Sequence, residues 1–431
     1  RTGIAWAGVG PDLGVKLSQS QAGDMLVYPV YAADQSGWET HLKLINTAID
    51  RSCRAKVVIR DATYSQELLD FFVYMTPTDE WTAKIYNDNG AVKIFSDDDS
   101  IQVSKGVFAS PSNPVDVQLK PRDAIKECVT EEIGYIVVYT DFYTSDDWLN
   151  NVYPGLGINE DLTSPPVDKV DLLAAVENTP VASWPGSTGF DALTGAYELR
   201  LPQLGLSTLE SPVAFMDYNI NSPLSLGDET FMGENTDNTA DEIEALLAKD
   251  DVALPYYKNQ NLSAHLFTFP TKEARITKDA DDDCILDPTF APDYFNGEFF
   301  NDNGIASTNS DGDLVNKCAL FGLVWFDTSE NTVAGPDPIF SPVPESEQSV
   351  MCNEVEILVS SAFTFEEGWA RYEFDPSALA VGATSGTATN NQALCYEGAP
   401  VIPGVLHLGA DGLSMMHGAY TDGDYNFGTC P

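Results

Sequence analysis

The 431 residues are enough to bury substantial cores, and at ordinary domain sizes they suggest about two to three domains. Only 22 Lys and Arg stand against 66 Asp and Glu, a formal charge of −44, so neither nucleic acid nor an anionic membrane surface is an expected partner, since clustered cations hold both. With 43% hydrophobic and 11% aromatic residues the chain has the apolar content to fold, and its acidity is that of a protein kept soluble in a salty medium.

Residues 1–22 form an N-terminal arm in which Ile4, Ala5, Trp6, Ala7 and Val9 are apolar. A Trp-bearing apolar arm needs cover. It either packs as an edge strand on its own domain or adds to a sheet edge of a neighbouring copy, with Ile4, Trp6 and Val9 as the assembly residues. The first residue is Arg1 rather than Met, as expected after a secretory precursor is processed.

Residues 23–150 read as a first β-sandwich domain. Leu42 and Leu44 share one face, with His41 and Lys43 on the other; Val57 and Ile59 alternate with Lys56, Val58 and Arg60; Leu69, Phe71, Val73 and Met75 alternate with Asp70, Phe72 and Tyr74. Trp81, Ala83 and Ile85 lead to Asn87-Asp88-Asn89-Gly90, after which Val92 and Ile94 resume, which predicts a hairpin. Ile133–Thr140 is one more strand. Pro77 and Asp79 mark a tight turn, with Trp81 placed to enter the core behind it.

Residues 151–260 read as an irregular region with short helices over Asp168–Asn178 and Asp241–Lys249, the second with a Thr239/Glu242 capping box. Residues 261–431 read as a second β-rich domain with strands at Ser263–Phe269, Ala319–Phe326, Val355–Ser361, Trp369–Phe374 and Val401–Leu408. The fold class expected is all-β, immunoglobulin-like or related sandwiches with long acidic loops. No apolar run approaches the roughly 18 residues of a membrane span.

Cysteines at 53, 128, 284, 318, 352, 395 and 430 include no CxxC pair, which argues against zinc ribbons and thioredoxin-like chemistry and for disulfides in an oxidising compartment. Segments consecutive in sequence are often neighbours in a sheet, so the expected bridges are Cys318–Cys352 and Cys53–Cys128.

The segments Leu26–Tyr31, Thr40–Thr47, Ser65–Trp81, Gly134–Tyr139 and Phe267–Lys272, taken in order, resemble a broad group of uncharacterised secreted, β-rich surface proteins of Gram-negative bacteria. The most specific part is the SxExLDFxxYxxPxDxW pattern of Ser65–Trp81. The resemblance implies export and a cell-surface location, and it supplies no catalytic residues.

Asn301, Asp302 and Asn303 with Asp311 and Asp313 form the best candidate calcium site, hard oxygen ligands in Gly-bearing loops without EF-hand spacing; the alternative is a solvated turn. Met415-Met416-His417 offers soft ligands for copper, although a Met pair beside a strand is more often core. No HExxH, GxSxG, P-loop or GxGxxG pattern occurs. No motif requires a cofactor, and calcium is the candidate the loops favour. The expected function is a non-catalytic extracellular structural subunit of a surface layer or filament, partnered by copies of itself. The alternatives are a calcium-stabilised adhesin that binds surface glycans and, behind it, a secreted hydrolase.

Overall fold

The structure is a computed structural model. It describes residues 14–63, 65–121, 129–144, 168–181, 184, 189–220, 222–226, 232, 240–249, 251–258, 262–271, 307–308, 314–315, 319–329, 332–334, 349–351, 353–363, 365–374, 379–382, 393–397, 399–409, 412–417 and 425–428. They form two units, one over Val15–Thr230 and the other largely over Asn238–Pro431. Both are built mainly of antiparallel strands.

The first unit runs β1 (Lys16–Leu17), β2 (Met25–Ala32), β3 (Glu39–Asn46), β4 (Cys53–Asp61), β5 (Glu67–Met75), β6 (Glu80–Asp88), β7 (Ala91–Ser96), β8 (Gln102–Ser104), β9 (Val107–Phe108), β10 (Val115–Gln118), β11 (Ile133–Tyr143), helix α1 (Lys169–Asn178), β12 (Leu193–Leu201), β13 (Leu206–Glu210) and β14 (Val213–Met216). Two six-stranded sheets result, ordered β1-β14-β2-β11-β4-β5 and β10-β7-β6-β3-β12-β13. They pack face to face: Tyr28 of β2 meets Tyr197 of β12 edge-on, Phe71 of β5 meets Trp81 of β6, and the Tyr28 hydroxyl donates to the carbonyl of Lys43 in β3. Gly195 of β12 leaves the room this needs, because a Cβ there would lie 2.1 Å from the Tyr28 hydroxyl oxygen. The all-β sandwich is the fold expected from the alternating patterns.

The second sheet alternates as the sequence suggested. Leu42 and Leu44, Trp81 and Ile85, and Val92 and Ile94 are buried from strands whose opposite faces stay partly wet. Asn89 and Gly90 take φ of 56° and 96° at the tip of the β6–β7 hairpin, the positive values that its two-residue turn demands.

The first sheet corrects the sequence reading. The alternation of Val57 and Ile59 with Lys56, Val58 and Arg60 implies a single core face, yet all five are buried. Helix α1 covers part of the outer face, with Leu172, Leu173, Ala175 and Val176 in one cluster with Tyr74 and Phe142. The chain near residues 218–226 covers more of it: Tyr218 packs on Tyr139, the Ser225 carbonyl accepts from Lys56 Nζ at 2.7 Å, and Leu224 N donates to Asp141. A sheet covered on both faces no longer shows a solvent-facing half in its exposure pattern. The span 151–260, read as irregular, supplies β12, β13, β14 and a further strand, Asp251–Tyr257, besides its helices.

In the second unit one sheet orders Asp251–Tyr257, Glu367–Phe374, Ala319–Asp327 and Thr332–Ala334, with Ser349–Met351 also on Ala319–Asp327. Another orders Val355–Val359, Leu262–Thr268, Ile402–Gly409 and Gly412–His417. Phe267, Phe269, Phe321, Trp325, Phe363 and Tyr372 share the core to which both contribute. Helix α2 (Ala240–Leu247) buries Ile243, Ala245, Leu246 and Leu247; Thr239 of its expected capping box lies outside the described residues. Among the described residues no helix is long and apolar enough to cross a membrane.

Candidate functional site

Two of the site groups read from sequence, and most of the third, lie outside the described residues: the assembly positions Ile4, Trp6 and Val9; the calcium candidates Asn301, Asp302, Asn303, Asp311 and Asp313; and the cysteines Cys128, Cys318 and Cys352. Cys53 is described, and it corrects the expected Cys53–Cys128 bridge. It opens β4 as a free, fully buried thiol, opposite Met75 on one side and Tyr143 on the other, with no cysteine facing it in the ladder. Burial pushes that thiol's pKa well up, so it is not a reactive thiolate. Met415 is buried and Met416 is exposed, as consecutive residues of one strand must be, so the two sulfurs do not face a common site. Among the described residues no group of three or more His, Cys, Asp or Glu is placed to hold a metal ion.

The polar side chains that converge inside the first unit join loops to the sandwich. Arg54 reaches Asp141 through Nε at 2.9 Å and through Nη2, and Asp141 Oδ2 also accepts from Leu224 N at 3.0 Å. The Arg54 guanidinium lies 3.9 Å from the ring centre of Phe72, and Trp184 Nε1 donates to the Asp141 carbonyl at 2.6 Å. This ion pair is dry and fully engaged, so removing either partner would strand a buried charge. Lys56 likewise pairs with Asp70 at 2.8 Å.

A second cluster gathers Asp24, Asp191 and Asp217 where β2 begins, β12 is approached and β14 ends. Asp191 N donates to Asp24 Oδ1 at 2.8 Å, Asp217 N donates to Asp191 Oδ1 at 3.0 Å, and Lys16 Nζ donates to Asp217 Oδ2 at 3.0 Å. Burial, and then the nearby Asp191 carboxylate, push Asp24 up to about 9, so it is a protonated acid at neutral pH.

The third cluster escaped the sequence reading. Asp79 does form the expected turn, its Oδ2 accepting from Thr76 N at 3.0 Å and its Oδ1 from Glu80 N at 3.0 Å. Its carboxylate also meets Lys169 Nζ, at the first residue of α1, whose N-cap Asp168 accepts from Val170 N. Lys169 donates to Ser100 Oγ at 2.9 Å and lies 3.8 Å from Asp99 Oδ1. Burial pushes the lysine down to about 8. The sequence did carry a signal: between Lys126 and Arg200, Lys169 is the sole Lys or Arg of a strongly acidic chain.

In the second unit His265 is buried, its Nδ1 2.6 Å from the Tyr372 hydroxyl and its Nε2 2.9 Å from the Pro255 carbonyl, and burial lowers it to about 4. Ser263 Oγ and His407 Nδ1 lie 3.1 Å apart, a serine–histidine contact of the type hydrolases use. Here the two residues are direct cross-strand partners, and Ser263 Oγ also accepts from Tyr257 N, at the end of a strand of the other sheet. The serine is buried.

No family model matches the chain, and no curated protein matches it. Among solved structures it is similar to the leech intramolecular trans-sialidase, at 10% identity and a TM-score of 0.11 over 94% of this chain and 74% of that one, a likeness too slight to carry an argument.

Proposed function

We propose that the chain is a non-catalytic structural subunit of an extracellular surface layer or filament. The observation that carries the reading is the second sheet of the first unit, which ends in two edge strands with apolar side chains turned to solvent. At one end Leu209 of β13 is 69% exposed beside Leu204 at 63%, and at the other Val117 of β10 is 42% exposed. An edge strand offers unpaired backbone donors and acceptors, and exposed apolar residues on it make it a site for strand addition. A donor strand from the next copy, head to tail, would give a heterologous contact that repeats into an open filament. The apolar segment Gly3–Val9, with Ile4, Trp6 and Val9, is the proposed donor, and β13 the acceptor. The high negative charge would keep neighbouring filaments apart. Export to the cell surface fits the same reading.

Removing residues 1–10 and sizing the product against the intact protein by light scattering at native ionic strength tests it. The intact chain should polymerise and the truncated one stay monomeric; polymers of unchanged size from the truncated chain would exclude the donor.

A further inference from the structure

Lys169 Nζ and the Asp79 carboxylate are in contact, with side chains only 12% and 18% exposed. Neither is free to leave. Asp79 is fixed by its hydrogen bonds from Thr76 and Glu80 in the β5–β6 turn, and Lys169 is fixed by its place in the first turn of α1, whose apolar face is buried. An amine and a carboxyl held together in a sheltered site have two stable outcomes, an ion pair or an amide. A low-dielectric site disfavours the ion pair. Fixed geometry favours condensation, since intramolecular reactions of well-oriented groups reach effective molarities of about 10⁵–10⁸ M. Burial also lowers Lys169 to about 8, so the nucleophilic free amine is reached at less cost than in an exposed lysine.

We propose that Lys169 and Asp79 are joined by an intramolecular isopeptide bond. A proton passes from the ammonium to the carboxylate, giving amine and carboxylic acid. The Nζ lone pair attacks Asp79 Cγ, the N–C bond forms, and the bond from Cγ to its hydroxyl oxygen breaks. The hydroxyl leaves as water with a proton lost from the nitrogen, and the Asp99 carboxylate, 3.8 Å from Nζ, is placed to relay it. The sum is one amide made and one water released, with no oxidant, reductant or activating group. The bond ties the turn between β5 and β6 to the start of α1 and closes a loop that persists when the protein unfolds. It stands apart from the assembly reading, since a monomer could carry it equally well.

The intact mass of the full chain, denatured and reduced, decides it. The expected mass is lower than that of the sequence by one water, with a branched peptide joining the segments that hold Lys169 and Asp79, and no tryptic cleavage after Lys169. Lys169→Arg should restore the full mass. Asp79→Asn should lose ammonia in place of water and arrive at the same product mass as the wild type. A wild-type chain of full mass, or a water loss mapped to any other residue, overturns the proposal; because that measurement needs no variant, misfolding of a substituted chain does not rescue it.

Discussion

Burying Asp24 costs the fold more as pH rises. Its carboxyl is neutral in the native state up to about 9, whereas in the unfolded chain it ionises from its ordinary value of 3.8. Between those values the native state binds the extra proton, so the contribution of Asp24 is fully present below pH 3.8 and is lost as pH rises towards 9. Asp24→Asn keeps the acceptor for Asp191 N and removes the ionisation. It should raise the melting temperature at pH 8, by about 2–4 °C per kcal/mol regained, and leave it nearly unchanged at pH 4. Equal effects at the two pH values would contradict the account. His265 acts in the opposite direction: held neutral down to about 4 against an ordinary 6.5, it contributes stability above pH 6.5 that is lost as pH falls towards 4. Its imidazole resonances should therefore show no titration between pH 7 and 5, and a midpoint near 6.5 in the native protein would rule this out.

The elements that were legible in the sequence are those that local chemistry dictates. Asn89-Gly90 set the hairpin, Pro77 and Asp79 set the turn before β6, and alternation placed Trp81 in the core, where Trp81→Ala should cost about 3–5 kcal/mol by denaturant unfolding. What escaped was decided by residues distant in sequence. Nothing local says that Lys56 will be roofed over, because its cover comes from the chain near residue 225, whose Ser225 carbonyl accepts from it. Nor does the turn at Asp79 announce its lysine, which arrives from position 169. The cysteine reading divides in the same way. Cys53 faces Met75 and Tyr143 and stays free. Cys318 and Cys352 lie outside the described residues, next in sequence to the paired Ala319 and Met351. Peptide mapping without reduction should recover Cys318 and Cys352 as one disulfide-linked pair; two free thiols there would contradict it.

At the scale of the molecule, a charge of −44 on two β-rich units makes self-repulsion the term that any assembly must overcome. Salt within a Debye length of about 8 Å at physiological strength weakens that repulsion, so association should strengthen with added monovalent salt and not weaken as charge-driven binding does. Strand addition at β13 is the proposed compensating term: among the described residues it is an edge strand, with Leu204 and Leu209 exposed. Leu209→Lys places a charge at the centre of that edge without touching the buried face of the strand, and it should leave folding intact while abolishing association. Electron microscopy of negatively stained intact protein at native ionic strength, with the Leu209→Lys variant beside it, tests the structural-subunit reading most directly. Ordered polymers from the intact chain and dispersed particles from the variant are the predicted result; dispersed monomers from both would contradict it.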